Sequence, residues 1–216
     1  MKAHIFIETY IPSSKRAKGE KTNEYWFIKQ YVEHIFPSVT LESSDITCVD
    51  GYTNLDKYDN KMKENTKAGI LNLVIIDCDD SSKNDGGYKQ RSLYLESLKQ
   101  KGGLEFEYFL FPNNQDEGAF ENLLLNIINP EHKGLLDCFD GYEKCISGKD
   151  PNGEVYKVPN IKAKIYSYIS SFKMTQKEQK LMKAGDWDFH NSKYWNLDSP
   201  YLIPLKEFLQ SHLSNI

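Results

Sequence analysis

The apolar residues of the first 130 positions alternate between short continuous runs and longer stretches with helical spacing. Short runs at residues 4–7, 46–49, 70–76 and 106–111 are rich in β-branched and aromatic residues, which is typical of buried strands. Between and after them, residues 23–36, 88–99 and 120–128 carry apolar side chains every three to four positions, which predicts amphipathic helices. A mostly polar helix is expected over residues 55–67. This alternation predicts an α/β fold with a mainly parallel four-stranded sheet and helices on both faces.

The pattern changes after about residue 130, where only helices are predicted. They cover residues 135–146, 161–172 and 200–213, and a capping box of Thr175 and Glu178 opens a further short helix before Gly185. The aromatic stretch 187–195 is expected to pack over the sheet or to form a dimer contact. We therefore expect one domain over residues 1–216, with an α/β core at 1–130 and a helical extension at 131–216 packed on that core.

Acidic residues follow three of the predicted strands, with Asp50 after the second. Glu8 ends the first strand, and Asp77 and Asp79 end the third. The carboxyl ends of parallel strands share one edge of the sheet, and the first turns of the following helices lie there too. Glu24 stands on the inward row of its helix, and Glu121 stands at the margin of the apolar stripe of another. The sequence thus predicts a cluster of carboxyl groups at one edge of the sheet.

Carboxylates crowded in this way raise one another's pKa unless a cation compensates their charge. Hard oxygen ligands are what Mg²⁺ and Mn²⁺ prefer, and Mg²⁺ commonly takes phosphate oxygens as further ligands. The candidate metal ligands are Glu8, Asp77, Asp79 and Glu121, with Glu24, Glu117 and Asp80 as supporting residues around the ion. A competing interpretation is structural: Asp80 and its neighbours cap a turn, and acids in first turns stabilise helix dipoles without forming any site.

Composition narrows the choice of partners. With 39% hydrophobic residues, 27% charged residues and a net charge of −4, the chain has the composition of a globular protein without a general electrostatic attraction to nucleic acid. Locally, candidate phosphate contacts remain at Lys15, Arg16, Lys18, Lys162 and Lys164, although a charged loop is commonly only a solvated loop. No Cys-x-x-Cys pair, targeting segment or bilayer-length apolar run is present, so we expect a cytoplasmic protein with reduced thiols and no membrane partner.

The order of these acids resembles that of the Toprim domain of topoisomerases, primases and OLD-type nucleases. The shared features are a first strand that ends in Glu8, a later strand that ends in Asp77-Cys78-Asp79, and a helix that opens with a further acid. Residues 111–125 are more closely similar to the proline-asparagine and glycine-to-glutamate-leucine signature of an uncharacterised bacterial Toprim-like family. Residues 162–166 and 195–198 match that family's lysine-rich helix and tryptophan-containing tail.

The resemblance implies a compact α/β fold with an acidic cluster for Mg²⁺. It implies that Glu8 binds metal or shuttles a proton, that Asp77 and Asp79 are the metal-binding pair, and that Glu121 is the acid of the later helix. The sequence departs from the family pattern where Thr9 follows Glu8 in place of glycine, and where a basic insertion separates Glu8 from Glu24. The expected partners are nucleic acid or a nucleotide, a second copy of the chain, or an ATPase-type protein.

Three functions remain open from the sequence. The first is phosphodiester hydrolysis assisted by Mg²⁺ or Mn²⁺. The second is a non-catalytic scaffold that binds a metal, a nucleotide or a partner protein. The third is a phosphatase of the haloacid-dehalogenase type, in which Asp77 would be the nucleophile and Asp79 the general acid.

Overall fold

The computed structural model describes residues 3–17, 19–83, 85–148 and 150–213. Its centre is a four-stranded sheet in the order β2-β1-β3-β4, and all three strand pairs are parallel. The strands are β1 (Ala3–Ile7), β2 (Ile46–Cys48), β3 (Leu71–Asp77) and β4 (Glu107–Phe111). The predicted α/β fold with a parallel four-stranded sheet is confirmed.

The first four helices connect the strands, and a fifth follows β4. They are α1 (Ser13–Arg16), α2 (Asn23–Ile35), α3 (Asp59–Lys67), α4 (Tyr88–Gly102) and α5 (Phe120–Asn126). The polar helix predicted from residue 55 begins instead as a 3₁₀ helix at Tyr52–Tyr58, and only its second part is α-helical. Gly103 ends α4 in the left-handed conformation, as the glycine pair after this helix predicts.

Side chains of the sheet alternate between two apolar clusters, one on each face. Phe6, Val74 and Leu110 belong to the smaller cluster, which contains Met62 of α3 and Leu95 of α4. The neighbouring strand residues, such as Ile5 and Ile75, belong to the larger cluster, which contains the inward residues of α2 and α5. Both faces of the sheet are therefore covered by helices, as predicted.

The second part of the chain forms the expected helical extension. Its elements are a 3₁₀ turn at Pro130–His132, α6 (Lys133–Ile146), α7 (Ile161–Ser170), α8 (Gln176–Ala184), a 3₁₀ turn at Pro200–Leu202, and α9 (Ile203–Leu213). Ile165, Phe189, Trp195 and Leu209 lie in the same apolar cluster as the larger face of the sheet. The aromatic stretch 187–195 thus contributes to packing over the sheet. No helix among the described residues has both the length and the apolar character needed to cross a bilayer.

Candidate functional site

The strand order places the ends of β1 and β3 side by side at the centre of the sheet. β1 connects to β2 on one side and β3 connects to β4 on the other, so the crevice between β1 and β3 is where the direction of winding reverses. Ile7 pairs with Ile75, which brings Glu8 next to Asp77. The backbone N–H of Asp77 donates a hydrogen bond of 3.0 Å to Glu8 Oε2. The register of the two central strands therefore joins two of the predicted site residues.

A second contact joins Asp77 to the start of α5. The backbone N–H of Phe120 donates to Asp77 Oδ1 at 2.8 Å, and Glu121 is the next residue of that helix. Glu121 is buried, and its Oε1 lies 3.3 Å from Nζ of Lys162 on α7. The helix following β4 thus carries its acid to the end of β3, as the position of Glu121 at the margin of the apolar stripe predicts.

Glu24 completes the group from the first turn of α2. Thr22 caps this helix by accepting a hydrogen bond from the N–H of Tyr25, which fixes the helix start beside the sheet edge. Only 7% of Glu24 is exposed, and among the described residues its Oε1 has no hydrogen-bond partner. A buried carboxylate oxygen without a partner is energetically costly, so this residue stores unfavourable free energy at the site.

These carboxyl groups open into one cavity of about 980 Å³. Its lining includes acids as well as lysines and aromatic residues. The acids are Glu8, Glu24, Asp50, Asp77 and Glu121, and the residues of the other kind include Tyr10, Lys162, Tyr166, Lys183 and Trp187. We call this space the acidic cavity. Its lining therefore offers carboxyl, ammonium and aromatic groups to a ligand.

The electrostatics of the acidic cavity oppose full ionisation. Burial raises the pKa of Glu24 well above its usual range, and the charges of Asp77, Glu8 and Glu121 raise it further. Burial also raises the pKa of Asp77, with additional contributions from Glu8 and Glu121, while the N–H of Phe120 acts in the opposite direction. The pKa of Glu8 is raised by burial and lowered in part by the Asp77 N–H and by Arg91. Protons or a cation must therefore compensate the negative charge.

Asp79 does not line the acidic cavity. Its backbone has a φ of 61°, and its carboxylate lies 2.8 Å from Arg91 Nη2 and 2.7 Å from Lys83 Nζ. Arg91 is 1% exposed, and its guanidinium carbon lies 3.3 Å from the ring centroid of Tyr52. Asp79 therefore forms an ion-pair group with Arg91 and Lys83 and lies apart from the other predicted ligands.

Two further predicted residues organise the loop after β3. Glu117 accepts a 2.9 Å hydrogen bond from the N–H of Ser81, and Asp80 accepts one of 2.8 Å from the N–H of Ser82. Hydrogen bonds from Ser82 lower the pKa of Asp80. Neither acid lines the acidic cavity, so in this structure their contacts are those of turn and loop residues.

The basic residues predicted to contact phosphate also differ in whether they line the acidic cavity. Lys162 lines the acidic cavity, whereas Lys164 is paired with Asp140 of α6. The side chains of Lys15 and Arg16, and all of Lys18, lie outside the described part of the structure.

Sequence reasoning missed two kinds of site residue. Arg91 precedes the buried Leu95 by one helical turn. The helical spacing of α4 could therefore have predicted that Arg91 faces inward. Tyr166 and Trp187 reach the acidic cavity from the helical extension, and no local pattern indicates which helices border the sheet edge. Among the described residues, no group of three or more His, Cys, Asp or Glu side chains is arranged to hold a metal ion.

Comparison with known proteins gives one match. The sequence model of the family described as "Protein of unknown function (DUF3226)" matches residues 20–214. No curated protein and no solved structure matches the chain.

Proposed function

The chain belongs to the DUF3226 family of unknown function, and we propose that its acidic cavity binds Mg²⁺ or Mn²⁺ and hydrolyses phosphodiester bonds. Membership of an uncharacterised family is as predicted. The observation that carries the proposal is the convergence of Glu8, Glu24, Asp77 and Glu121, which come from four separate elements, on one cavity. The resemblance of these acids to the Toprim arrangement supports the same reaction.

The donor atoms of the cavity fit a hard divalent ion. The candidate ligand atoms of Glu8, Glu24, Asp77 and Glu121 are carboxylate oxygens, which Mg²⁺ and Mn²⁺ favour. Among the described residues, Glu24 Oε1 is buried without a hydrogen-bond partner. Burial raises the pKa values of Asp77 and Glu24, and the charges of neighbouring acids raise them further, so a cation would offset that charge. The ligand set would form by rotation of these side chains toward a common point, since they do not yet share one.

Each residue of the cavity has a distinct role in this proposal. A bound divalent ion would orient water and stabilise charge on the scissile phosphate. Asp77, Glu24 and Glu121 would hold the ion, and Glu8 would hold it or accept a proton. Lys162 now pairs with Glu121 and would turn to a phosphate oxygen when the carboxylate binds the ion. Asp79 would act through Arg91 by fixing the loop that follows Asp77.

The two other functions differ in their support. A phosphatase of the haloacid-dehalogenase type needs Asp77 and Asp79 on the same substrate, but Asp79 is bound to Arg91 and Lys83 outside the cavity. A non-catalytic scaffold is favoured by a specific observation: backbone N–H groups already bind Glu8 and Asp77. The scaffold is therefore the second candidate.

Calorimetry with Mn²⁺ tests the metal site on the full chain after treatment with a chelator. We expect saturable heat with the wild type and with Glu207→Gln, a control at an exposed position of α9. Asp77→Asn and Glu24→Gln should lose most of that heat. An absence of heat in the wild type, or equal heat in Asp77→Asn, would show that the cavity is not a metal site.

Gel assays then separate the enzyme from the scaffold. Supercoiled DNA, single-stranded DNA and RNA are incubated with the wild type, Asp77→Asn and Glu207→Gln in Mg²⁺ or Mn²⁺. The proposal expects cleavage by the wild type and the control variant only. Metal binding without cleavage of any of these substrates would support the scaffold.

A further inference from the structure

The entrance of the acidic cavity carries exposed aromatic rings. Tyr10 and Tyr166 line the cavity and are 62% and 44% exposed, and within the described part of the chain neither side chain makes a hydrogen bond, ion pair or ring contact. Trp187 also lines the cavity. We call these three side chains the aromatic rim.

Trp187 is held more firmly than the two tyrosines. Its Nε1–H donates to the carbonyl of Met182 at 3.2 Å, and its ring lies parallel to that of Trp195 at a centroid distance of 6.3 Å. Trp195 is itself buried in the main apolar cluster. The rim thus combines one ring supported from the core with two rings whose faces are available to a ligand.

The rings of the aromatic rim differ from other exposed aromatic residues because they line the acidic cavity. Tyr142 of α6 is exposed to a similar extent, 51%, but it does not line the acidic cavity. The rim residues come from three distant parts of the chain and meet beside Lys162 and the buried acids. Aromatic faces next to a cation and a candidate metal site suit a ligand that has both a flat apolar group and a phosphate.

We propose that the aromatic rim binds the base of an unpaired nucleotide, so that the acidic cavity takes single-stranded nucleic acid or a free nucleotide in preference to a duplex. This inference rests on the proposed function, because it assigns the phosphate of that nucleotide to the acids and Lys162. Stacking is tolerant of base identity, so the rim selects unpaired bases and does not read sequence.

The depth of the acids explains the preference for unpaired strands. Glu24 and Glu121 are buried, so a phosphate must enter the cavity to reach them. A duplex keeps its bases paired and stacked, and enzymes that act within a recess must first extrude a nucleotide, which costs unstacking and unpairing energy. An unpaired nucleotide has no such cost. The cavity of about 980 Å³ is at the upper end of the range for small-molecule sites and accommodates base and phosphate together.

Fluorescence anisotropy of a labelled oligothymidine tests the aromatic rim on the full chain, with Ca²⁺ as the divalent ion. Tyr166→Ala should weaken binding by about 5- to 150-fold, which corresponds to the loss of one stacked base. Tyr166→Phe keeps the ring and should stay within about twofold of the wild type. Tyr142→Ala is the matched control for an exposed tyrosine and should bind as the wild type does.

Three further probes distinguish the base from the phosphate and identify the source of the nucleotide. An abasic strand of equal length should bind the wild type at least as weakly as oligothymidine binds Tyr166→Ala, because it has no base to stack on any ring of the rim. Blunt duplex DNA should bind more weakly than the unpaired strand. Displacement of the labelled strand by thymidine monophosphate would identify a free nucleotide as sufficient, whereas displacement only by unlabelled strand would identify single-stranded nucleic acid; both results support the base site.

The outcomes also separate this inference from the proposed function. Equal affinity for duplex and unpaired strand, no binding of either, or unchanged affinity in Tyr166→Ala would overturn the aromatic rim as a base site. Mn²⁺ calorimetry on Tyr166→Ala should match the wild type, and it also shows that the variant is folded. Retained Mn²⁺ binding and cleavage with no effect of Tyr166→Ala would leave the metal proposal standing alone.

Discussion

At the residue scale, Glu24 shows how the site opposes the stability of the fold. One oxygen of its buried carboxyl group has no partner among the described residues. Burial raises its pKa, and neighbouring acids raise it further. The folded state therefore binds the Glu24 proton more tightly than the unfolded state does. Above the ordinary value of 4.5, ionisation favours the unfolded chain, and this loss of stability grows until the pH reaches the folded-state pKa.

We accordingly expect Glu24→Gln to raise the free energy of unfolding of the metal-free protein, because glutamine does not ionise. The advantage of the variant should increase as the pH rises above the ordinary value of 4.5 and should level off above the raised pKa of Glu24 in the folded state. Saturating Mn²⁺ should reverse the order, since an ion that binds only the folded wild type stabilises it. Denaturant titrations with chelator and with Mn²⁺ measure both effects, and Glu207→Gln serves as the control. A variant that is less stable than the wild type at about pH 8 in chelator would contradict this account.

Arg91 and Asp79 form the second residue-scale test. Removal of one partner leaves the other charge without its main compensation, so Arg91→Met should cost about 2–4 kcal/mol. Asp79→Asn should cost at least as much, because it leaves the buried Arg91 guanidinium without its carboxylate. Arg91→Met leaves an Asp79 carboxylate that is partly exposed and still paired with Lys83. The double variant should be more stable than the sum of the two single effects predicts. Additive effects in this double-mutant cycle would indicate that the pair is not coupled.

The sequence predicted which acids come together at the sheet edge better than it predicted the contacts that each acid makes. The positions of Glu8 and Asp77 follow from strand ends, and that of Glu121 follows from the margin of a helix's apolar stripe. Both signals are local. Asp79 is only two residues beyond Asp77, but its positive φ and the guanidinium of Arg91 turn it away from the cavity. A backbone turn and a partner on a distant helix are set by tertiary packing, which the spacing of two aspartates does not encode.

At the scale of elements, the loops after β3 and β4 hold the start of α5 in place. The N–H of Asp79 donates to the carbonyl of Gly118 at 2.6 Å, and the N–H of Gly118 donates back to Asp79 at 3.0 Å. Gly118 has a φ of 139°, and a Cβ at this position would lie 2.8 Å from the side chain of Asn122. This glycine therefore permits the close approach that aligns Glu121 with Asp77.

Gly118→Ala should destabilise the protein by about 1–3 kcal/mol, because alanine is strained in this backbone conformation. It should also weaken Mn²⁺ binding, since α5 carries Glu121. The matched control is Gly141→Ala in the exposed helix α6, where a Cβ meets nothing within 4 Å and alanine should stabilise by about 0.5–1 kcal/mol. Thermal melts and calorimetry of both variants provide the comparison. Equal stability of the two variants would exclude strain at Gly118.

The elements themselves were predicted well where their pattern was strong. Strands β1 and β3 and helices α2 and α4 match the predicted runs within a few residues, because their burial imposes a clear period. The polar stretch before β3 was predicted less well, since a 3₁₀ helix and a short α-helix replace one helix. The approach of α7 to the acidic cavity was not predictable, because periodicity indicates a helix's buried face but not its neighbour.

At the scale of the whole molecule, strand order determines where the site lies. The sequence predicts that acids collect at the carboxyl edge of the sheet, and the order β2-β1-β3-β4 selects the crevice between the two central strands. The net charge of −4 means that attraction to a polyanion must be local. Among the residues whose side chains the structure describes, two lysines line the acidic cavity, Lys162 and Lys183.

Binding of single-stranded nucleic acid should therefore depend only weakly on salt. With one or two phosphate contacts, the slope of log K against log salt concentration should be about −0.7 to −1.4, and Lys162→Gln should reduce its magnitude by about 0.7. Lys206→Gln, at an exposed position of α9, should leave the slope unchanged. Anisotropy of the labelled oligothymidine across a salt series measures these slopes. A slope several times steeper, unaltered by Lys162→Gln, would place the main phosphate contacts on another surface, because each neutralised phosphate adds a fixed increment to the slope.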